Sequence, residues 1–423
     1  MVDIKKLRED PAAYKRAADV KAVAVDIDRL LKVDKLVLQL KQELDELRTE
    51  KNQLAKQQAD PEKGRAVKEK IKAKEGEVNL LDPELEKLML LVPNLPSEDS
   101  PVGKDDTGNK EVYRWGDIPQ PDFALKDHLT LGAELDLLDF ERGVRTSGFR
   151  GYYLKNEAAL LHLALMQYAL KKIIEKGFTP FIPPTLVREF ALIGSGHFPF
   201  GEEEIYEIKN PDNKERTFLT GTAEPSLLAY RAGEILDETE LPLKFAGLSQ
   251  CYRSEVGSYG KDAKGIYRIH EFMKVEQVVL CRADTTESNQ WLETITGYSR
   301  ELLEELRLPY RVVQVCTGDM GPGKHKMYDL ETWMPSRNAY SETHSASNLT
   351  DWQARRLGIR YRTKDGEKVY PHCLNNTVIA SPRILIAILE NFQQQDGSVA
   401  VPEALVPYCG FKNIKKGARR ISA

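Results

Sequence analysis

Two stretches of the chain carry residues whose types and spacing suit chemistry on an anionic substrate. The first runs through Cys251-Tyr252-Arg253-Ser254-Glu255 into a loop with Gly257, Gly260 and Gly265, and returns through Ile266-Tyr267-Arg268-Ile269-His270-Glu271-Phe272-Met273-Lys274-Val275-Glu276. Read as a β-hairpin, it alternates its side chains between two faces. Arg253 and Glu255 then share one side, and Arg268, His270, Phe272, Lys274 and Glu276 share a side of the returning strand. Phe272 and Glu276 would lie about 13 Å apart at ~3.3 Å per residue, roughly the span of a nucleotide with a small group on its phosphate. Arginine grips phosphate bidentately, phenylalanine stacks on a base, and a carboxylate holds a cationic or hydroxyl-bearing group. A cross-strand ladder of ion pairs accounts for the spacing equally well.

The second stretch is Ser381-Pro382-Arg383. It reads as an N-cap, a proline at the first helical position and an arginine, opening a helix to about Gln395 that stops at Asp396-Gly397. An arginine in a first turn opposes the helix dipole unless an anion compensates, and a polyphosphate would be such an anion. An ion pair with a carboxylate is the alternative.

Other motifs carry less. Gly318 through His325 nearly spells a phosphate loop, but its last residue lacks the hydroxyl that would meet magnesium, and Lys326-Met327-Tyr328-Asp329-Leu330-Glu331 reads as a strand where that loop must open a helix. The seven histidines show no paired metal spacing, so no zinc is expected. Asn375-Asn376-Thr377 fits a glycosylation pattern that means nothing without secretion.

These stretches need a scaffold. At 423 residues the chain exceeds one ordinary core and predicts two domains; 41% hydrophobic content is enough to build them. A net charge of −4 excludes a generally basic nucleic-acid coat but allows a local basic patch. No run of about 18 apolar residues exists to span a membrane. Met1 through Leu7 lacks a signal peptide's apolar stretch, and five scattered cysteines form no framework, so a cytoplasmic location is expected.

Residues 1–103 and 104–423 differ in period. Leu30, Val33, Val37, Leu40, Leu44, Leu47 and Leu54 step by a heptad seam, as do Val67, Ile71, Val78, Leu81, Leu85, Leu88 and Val92, with Lys74 in place of one knob. A turn over Ala59 to Gly64 joins them, predicting an antiparallel helical arm over about 28–92. Gly76 and the pair Asp82-Pro83 interrupt the second helix and predict a kink there, or a fresh segment capped by Asp82. Lys63, Arg65, Lys68, Lys70 and Lys72 near the tip form a basic run that is either a solvated face or a phosphate-binding one. The arm itself could equally be a dimerisation zipper. A Pro-rich linker, Val92 to Gly103, follows. Beyond it, a largely apolar helix (Asn156 to Lys176) and strand-like segments (Leu243–Glu255, Ile266–Arg282, Tyr310–Cys316, Lys326–Met334, Val369–Asn376) predict an α+β fold, an antiparallel sheet with flanking helices.

Together these pieces resemble class II aminoacyl-tRNA synthetases, specifically the bacterial seryl-tRNA synthetase family, over nearly the whole chain. Asp3-Ile4-Lys5-Lys6-Leu7-Arg8 and the arm resemble its tRNA-binding domain. Lys176-Gly177-Phe178 through Pro184 resembles motif 1, Tyr252 through Glu276 motif 2, and Thr377 through Arg383 motif 3. Gly221-Thr222-Ala223-Glu224 resembles the serine-binding T-x-E loop, and Glu342-Thr343-His344-Ser345, followed by Asp351-Trp352-Gln353-Ala354-Arg355-Arg356, the ATP-contacting strand.

The resemblance implies that Arg253 contacts the α-phosphate and the serine carboxylate, next to Ser254 in the ATP site. It implies that Glu255 binds the adenine amino group, Phe272 stacks on adenine beside the Ile269 backbone, and Arg383 holds the γ-phosphate. Glu342 and Ser345 would serve Mg²⁺ and the phosphates, with Thr343 and His344 between them. Thr222, Ala223, Glu224 and Glu276 would recognise serine, with Asn375 and Thr377 closing the pocket. The implied partners are ATP, L-serine and serine tRNA, with selenocysteine tRNA as a further acceptor and a homodimer formed through motif 1. The chain departs from the family's common pattern at His344-Ser345, where two serines are frequent, and at Thr377, where serine is. A specialised copy serving secondary metabolism or resistance would carry the same motifs. A non-catalytic coiled-coil scaffold would not need the charged set. Relatives that load carrier proteins lack the long arm.

Overall fold

The structure, a computed structural model, describes residues 1–56, 61–210, 214–256 and 265–417. The chain divides into two compact units, Met1–Leu95 and Pro96–Ala423, at a boundary inside the proline-rich stretch.

The first unit opens with two short helices, α1 (Ile4–Glu9) and α2 (Pro11–Val20). Each starts at an aspartate whose carboxylate accepts from a backbone N–H, Asp3 from Lys5 at 2.8 Å and Asp10 from Ala13 at 2.9 Å. Two long helices follow, α3 (Ile27–Lys56) and α4 (Pro61–Leu91). Leu30, Val33, Val37, Leu40 and Leu44 of α3 and Val67, Ile71 and Val78 of α4 are buried, as the heptad count requires. Near the base of the hairpin the seam uses Met89, which the heptad count missed, while Leu85 and Leu88 are half-buried.

The expected turn is shorter than its composition suggested. Pro61 through Gly64 are already helical, with proline at the first position where its missing N–H is harmless; Gln57 to Asp60 lie outside the described residues. Helix α4 runs through Pro83 as one element, and Asp82 caps no fresh segment: its carboxylate accepts from Lys41 Nζ at 2.9 Å.

The second unit is built on an eight-stranded sheet. In chain order its strands are β1 (Lys110–Trp115), β2 (Thr179–Phe181), β3 (Leu243–Tyr252), β4 (Glu271–Cys281), β5 (Tyr310–Gln314), β6 (Lys326–Met334), β7 (Ala339–Asn348) and β8 (His372–Ser381). Their spatial order is β1-β5-β6-β7-β8-β4-β3-β2, antiparallel except for the β2–β3 edge pair. Helices α5 (Asn156–Glu175), α6 (Glu224–Ala229), α7 (Thr285–Glu305) and α8 (Arg383–Asn391) flank it.

Alternation along β4 divides two cores. Val275 and Val279 join a cluster with α5, α7 and α8, whereas Val278 and Leu280 join one with α6. Lys274 and Glu276 have the parity of the α6 side, whereas Phe272, near the start of the strand, packs against the first cluster. Gly247 of β3 lets that helix close in, since a Cβ there would meet Ala223 Cβ at 2.8 Å. No helix among the described residues is long and apolar enough to cross a membrane.

Several expected boundaries move. The returning strand starts at Glu271, so Ile266 to His270 form an irregular segment, and the outgoing strand stops at Tyr252. Val369 and His372 belong to different strands. Helix α8 ends at Asn391, short of Gln395. Ser381 ends β8 and Pro382 stands at the cap position with no side-chain cap bond; Ser381 Oγ meets His162 Nδ1 of α5 at 2.7 Å instead.

Candidate active site

A cleft over the β4 surface is lined by Arg253, Glu255, Ile269, Phe272, Lys274, Glu342, Thr343, Thr377 and Arg383, with Tyr267, Arg268, Ala380, Ser381 and Pro382 completing it. The hairpin delivers Arg253, Glu255 and Ile269 from its irregular end, beyond Tyr252 and before Glu271. Arg253 follows the last residue of β3, and its backbone is pinned to His270, N to O at 2.9 Å, with His270 Nδ1 at 2.9 Å from the Arg253 carbonyl. Its guanidinium carbon lies 5.4 Å from the Phe272 ring centroid. Glu255 takes a left-handed φ of 53°, costly for a residue with a side chain, and its carboxylate meets Arg268 at 2.5 Å and Arg150 at 3.9 Å. Gly257 and Gly260 lie outside the described residues.

Arg383 opens α8 and donates to the Glu342 carbonyl at 2.9 Å and carboxylate at 3.2 Å, with its guanidinium carbon 4.4 Å from the Tyr267 ring. The carboxylate that offsets the helix dipole is therefore Glu342, which also faces the cleft. Desolvation by the cleft walls pushes the Glu342 carboxyl up, but Arg383 and Arg253 outweigh it and its pKa lies below the ordinary range.

The strand β7 carries a bulge. Leu330 faces His344 and Glu331 faces Glu342, so Thr343 is the extra residue. That insertion brings Glu342 and Ser345, three apart and opposed on a regular strand, to the same face. Asp329 on β6 faces Ser345 across the strand pair, and its Oδ1 is buried without a hydrogen-bond partner. This all-oxygen set suits a hard cation. Among the described residues no group of three or more His, Cys, Asp or Glu side chains could hold a metal ion. Burial and the neighbouring Glu342 push the Asp329 carboxyl well above its usual range.

Beneath the cleft floor is a buried polar cluster. Glu276 is 3% exposed; its carboxylate meets Lys274 Nζ at 2.5 Å and the Thr377 hydroxyl at 3.5 Å. Glu224 accepts from Asn375 and Gln353, both at 2.6 Å. Burial pushes its carboxyl up, yet Lys324, His197 and the Gln353 amide bring it below the ordinary value. The Thr222 hydroxyl accepts from the Glu224 N–H at 3.4 Å, and Ala223 packs under Gly247. Glu224 also borders a second cavity with His197, Lys324, Gly323 and Trp352. Burial pushes the His197 pKa down to about 4.

Arg253, Glu255, Ile269, Phe272, Glu342, Thr343, Thr377 and Arg383 thus share one cleft, with Glu276 directly behind it. Glu224, Thr222 and Asn375 are buried and joined to one another by hydrogen bonds, with Glu224 bordering the second cavity. Ser254 turns away, donating to the Glu203 carbonyl at 2.6 Å, and His344 is buried against Thr343 at 2.8 Å. Lys63, Arg65, Lys68, Lys70 and Lys72 are exposed on the arm. Sequence reasoning gave no role to Tyr267, Lys274, Lys324 or Gln353. Lys274 stands two residues from Glu276 on one strand face, Gln353 lies within the Asp351–Arg356 motif, and Lys324 lies within the rejected phosphate loop.

Two family models match: the seryl-tRNA synthetase N-terminal domain over residues 1–96 and the tRNA synthetase class II core domain (G, H, P, S and T) over residues 206–392. A serine–tRNA ligase of Deinococcus radiodurans is 47% identical over 423 residues, covering 98% of this chain and 99% of that protein. A seryl-tRNA synthetase of Pyrococcus horikoshii, solved with ATP, superposes with a TM-score of 0.90 at 39% identity, covering 98% of this chain and 99% of that one. A cytoplasmic serine–tRNA ligase of Naegleria fowleri, solved with AMP, gives 0.88 at 30% identity, covering 96% of each. From the amino-terminal helices to the arginine that opens α8, this chain belongs to the seryl-tRNA synthetase family.

Proposed function

We propose that the cleft joins serine to ATP as seryl-adenylate and that the seryl group then passes to tRNA. Family membership carries the overall reaction, ATP-dependent attachment of serine to tRNA by a ligase. The observation that supports the site reading is one cleft holding Arg253, Phe272 and Arg383, with the Glu276 carboxylate behind its floor.

The serine carboxylate attacks the α-phosphorus in line, the bond to the bridging oxygen breaks, and pyrophosphate leaves. Arg253 balances charge on the α-phosphate and holds the attacking carboxylate, while Arg383 exchanges part of its contact with Glu342 for the γ-phosphate. Phe272 supports the adenine and Glu255 takes its amino group. Glu342 and Ser345 would hold Mg²⁺, which supplies further positive charge to the phosphates. Glu224 receives the ammonium group, and Glu276 and Thr377 read the hydroxyl. The terminal ribose hydroxyl of the tRNA then attacks the acyl carbonyl and AMP leaves.

A site whose buried polar groups must pair with a hydroxyl rejects the analogue lacking it by about 10⁴–10⁵-fold, so alanine is excluded at binding. Serine tRNA is held by the arm, where Lys63, Arg65, Lys68, Lys70 and Lys72 meet phosphates; selenocysteine tRNA is a second acceptor on the same chemistry. A homodimer forms through α5 and residues 176–184, where Leu163 and Ile182 are 57% and 88% exposed. The compartment is the cytoplasm, in keeping with five free, buried cysteines.

The deciding measurement is pyrophosphate exchange with a panel of amino acids. Serine alone should support it, and Glu276→Ala should lose discrimination against alanine; unchanged discrimination would remove Glu276 from this role.

A further inference from the structure

Lysine is seldom buried in the middle of a sheet, because its ammonium must be desolvated and then paired. Lys274 stands there at 6% exposure. Its cross-strand neighbours are Ser249 on β3 and Ala380 on β8, both small and neither anionic. Among the described residues the carboxylate in contact with it is Glu276, two residues along the same strand face, at 2.5 Å. The lysine also lines the cleft in which Arg253 and Thr377 stand.

Glu276 needs such a partner. It is buried, and Glu224 on α6 adds a second negative charge to the same region. Facing it are Lys274 from its own strand, the Thr377 hydroxyl from β8, Cys251 from β3, and Lys324 from the segment before β6. Burial prevails and holds its carboxyl above the ordinary value, with Lys274 the foremost group limiting that rise. A charged carboxylate only accepts hydrogen bonds, whereas a protonated one also donates, so the charge state decides what the pocket can read.

We infer that Lys274 is a positioning residue for amino-acid selection: its ammonium fixes Glu276 as an anionic acceptor aimed at the substrate hydroxyl. The inference rests on the reading of Glu276 given above.

The test uses the full chain and serine-dependent pyrophosphate exchange from about pH 6 to about pH 9. Without the ammonium, Glu276 takes up a proton at a higher pH than in the parent. Lys274→Met should therefore raise the serine KM about tenfold or more at the acid end, the equivalent of one pKa unit of lost preference for the charged form. The defect should shrink as pH rises, the ATP KM should move far less, and discrimination against alanine should weaken with the serine KM. Lys274→Arg, which restores a cation, should flatten the pH profile again. Calorimetry of serine binding in buffers of different ionisation enthalpy adds a readout independent of turnover: near neutral pH the Met variant should release a proton that the parent does not. Lys274→Gln carries the same measurements if the Met variant does not fold. A serine KM equal to the parent's at every pH, or a loss shared equally by serine and ATP and independent of pH, would overturn the inference. Glu276→Gln separates the two levels. If it leaves the serine KM and alanine discrimination unchanged, the underlying reading fails; if it impairs both while Lys274→Met does nothing, only the role of the lysine fails.

Discussion

The arm and the cleft hold charge in opposite ways. Along the arm, Arg29–Glu84, Lys41–Asp82 and Arg48–Glu75 span the two helices at 2.6 to 3.1 Å, all well exposed to solvent. Beneath the cleft, Lys274–Glu276 and the Glu224 cluster are nearly sealed from water. Exposed pairs are screened and individually contribute little, while breaking a buried pair strands a charge and costs about 3–5 kcal/mol. The arm is therefore a sum of repeated, similar contacts around an apolar seam, whereas the cleft depends on a few contacts between particular buried groups. One region tolerates substitution because it is redundant, and the other does not because it is specific.

The comparison breaks first if catalysis needs the arm. Deleting Asp28 to Leu91 should abolish tRNA charging and leave serine-dependent pyrophosphate exchange near the parent rate; normal charging would reduce the arm to a spacer. Within the cleft, Arg383→Ala should lower exchange by about 10²–10³-fold, the loss expected for one preorganised charge partner of the phosphates. Arg383→Lys should recover little, because lysine presents a point charge where arginine presents a planar fork. A knob of the arm behaves differently. Leu40→Ala should destabilise the helical pair by about 2 kcal/mol, read as faster amide exchange across α3 and α4, with pyrophosphate exchange unchanged. Loss of exchange activity in that variant would couple the two regions and end the distinction.

How much the sequence disclosed follows the same division. The arm was legible because its seam is written locally: a period of three and four residues fixes which side chains are buried, whatever lies elsewhere. The sheet was legible in its strands, and the motif order pointed to the family. The irregular geometry was not legible. Residues 266–270 alternate like a strand but are diverted, with Tyr267 placed against Arg383 and Arg268 against Glu255. The bulge at Thr343 depends on how β6 and β7 register, which no local pattern encodes. Lys274 shares a strand face with Phe272 and Glu276 in the sequence, but its burial between β3 and β8 is set by the sheet and not by that alternation. Gln353 meets Glu224 across 129 residues of chain, a contact that only the fold creates.

The smallest effect is expected where the arm most resembles the cleft. Lys74 interrupts the seam of α4 where an apolar knob belongs, and its side chain, 31% exposed, reaches Glu43 at 2.9 Å and Glu77 at 3.5 Å. The hydrogen bond raises the Lys74 pKa and, from the other side, lowers that of Glu43. The signs set a window. The Glu43 contribution is present above its ordinary value of 4.5 and fades as pH falls through the depressed pKa, while the Lys74 contribution is present below 10.5 and fades as pH rises through the raised one. At neutral pH both operate, yet water still reaches the pair and screens it. Lys74→Leu gives up this contact and gains a knob in the seam, so it should leave the arm as protected from amide exchange as the parent or slightly more so, and should remove part of the salt dependence of that protection. A marked loss of protection would mean that the arm, like the cleft, contains a charge it cannot replace.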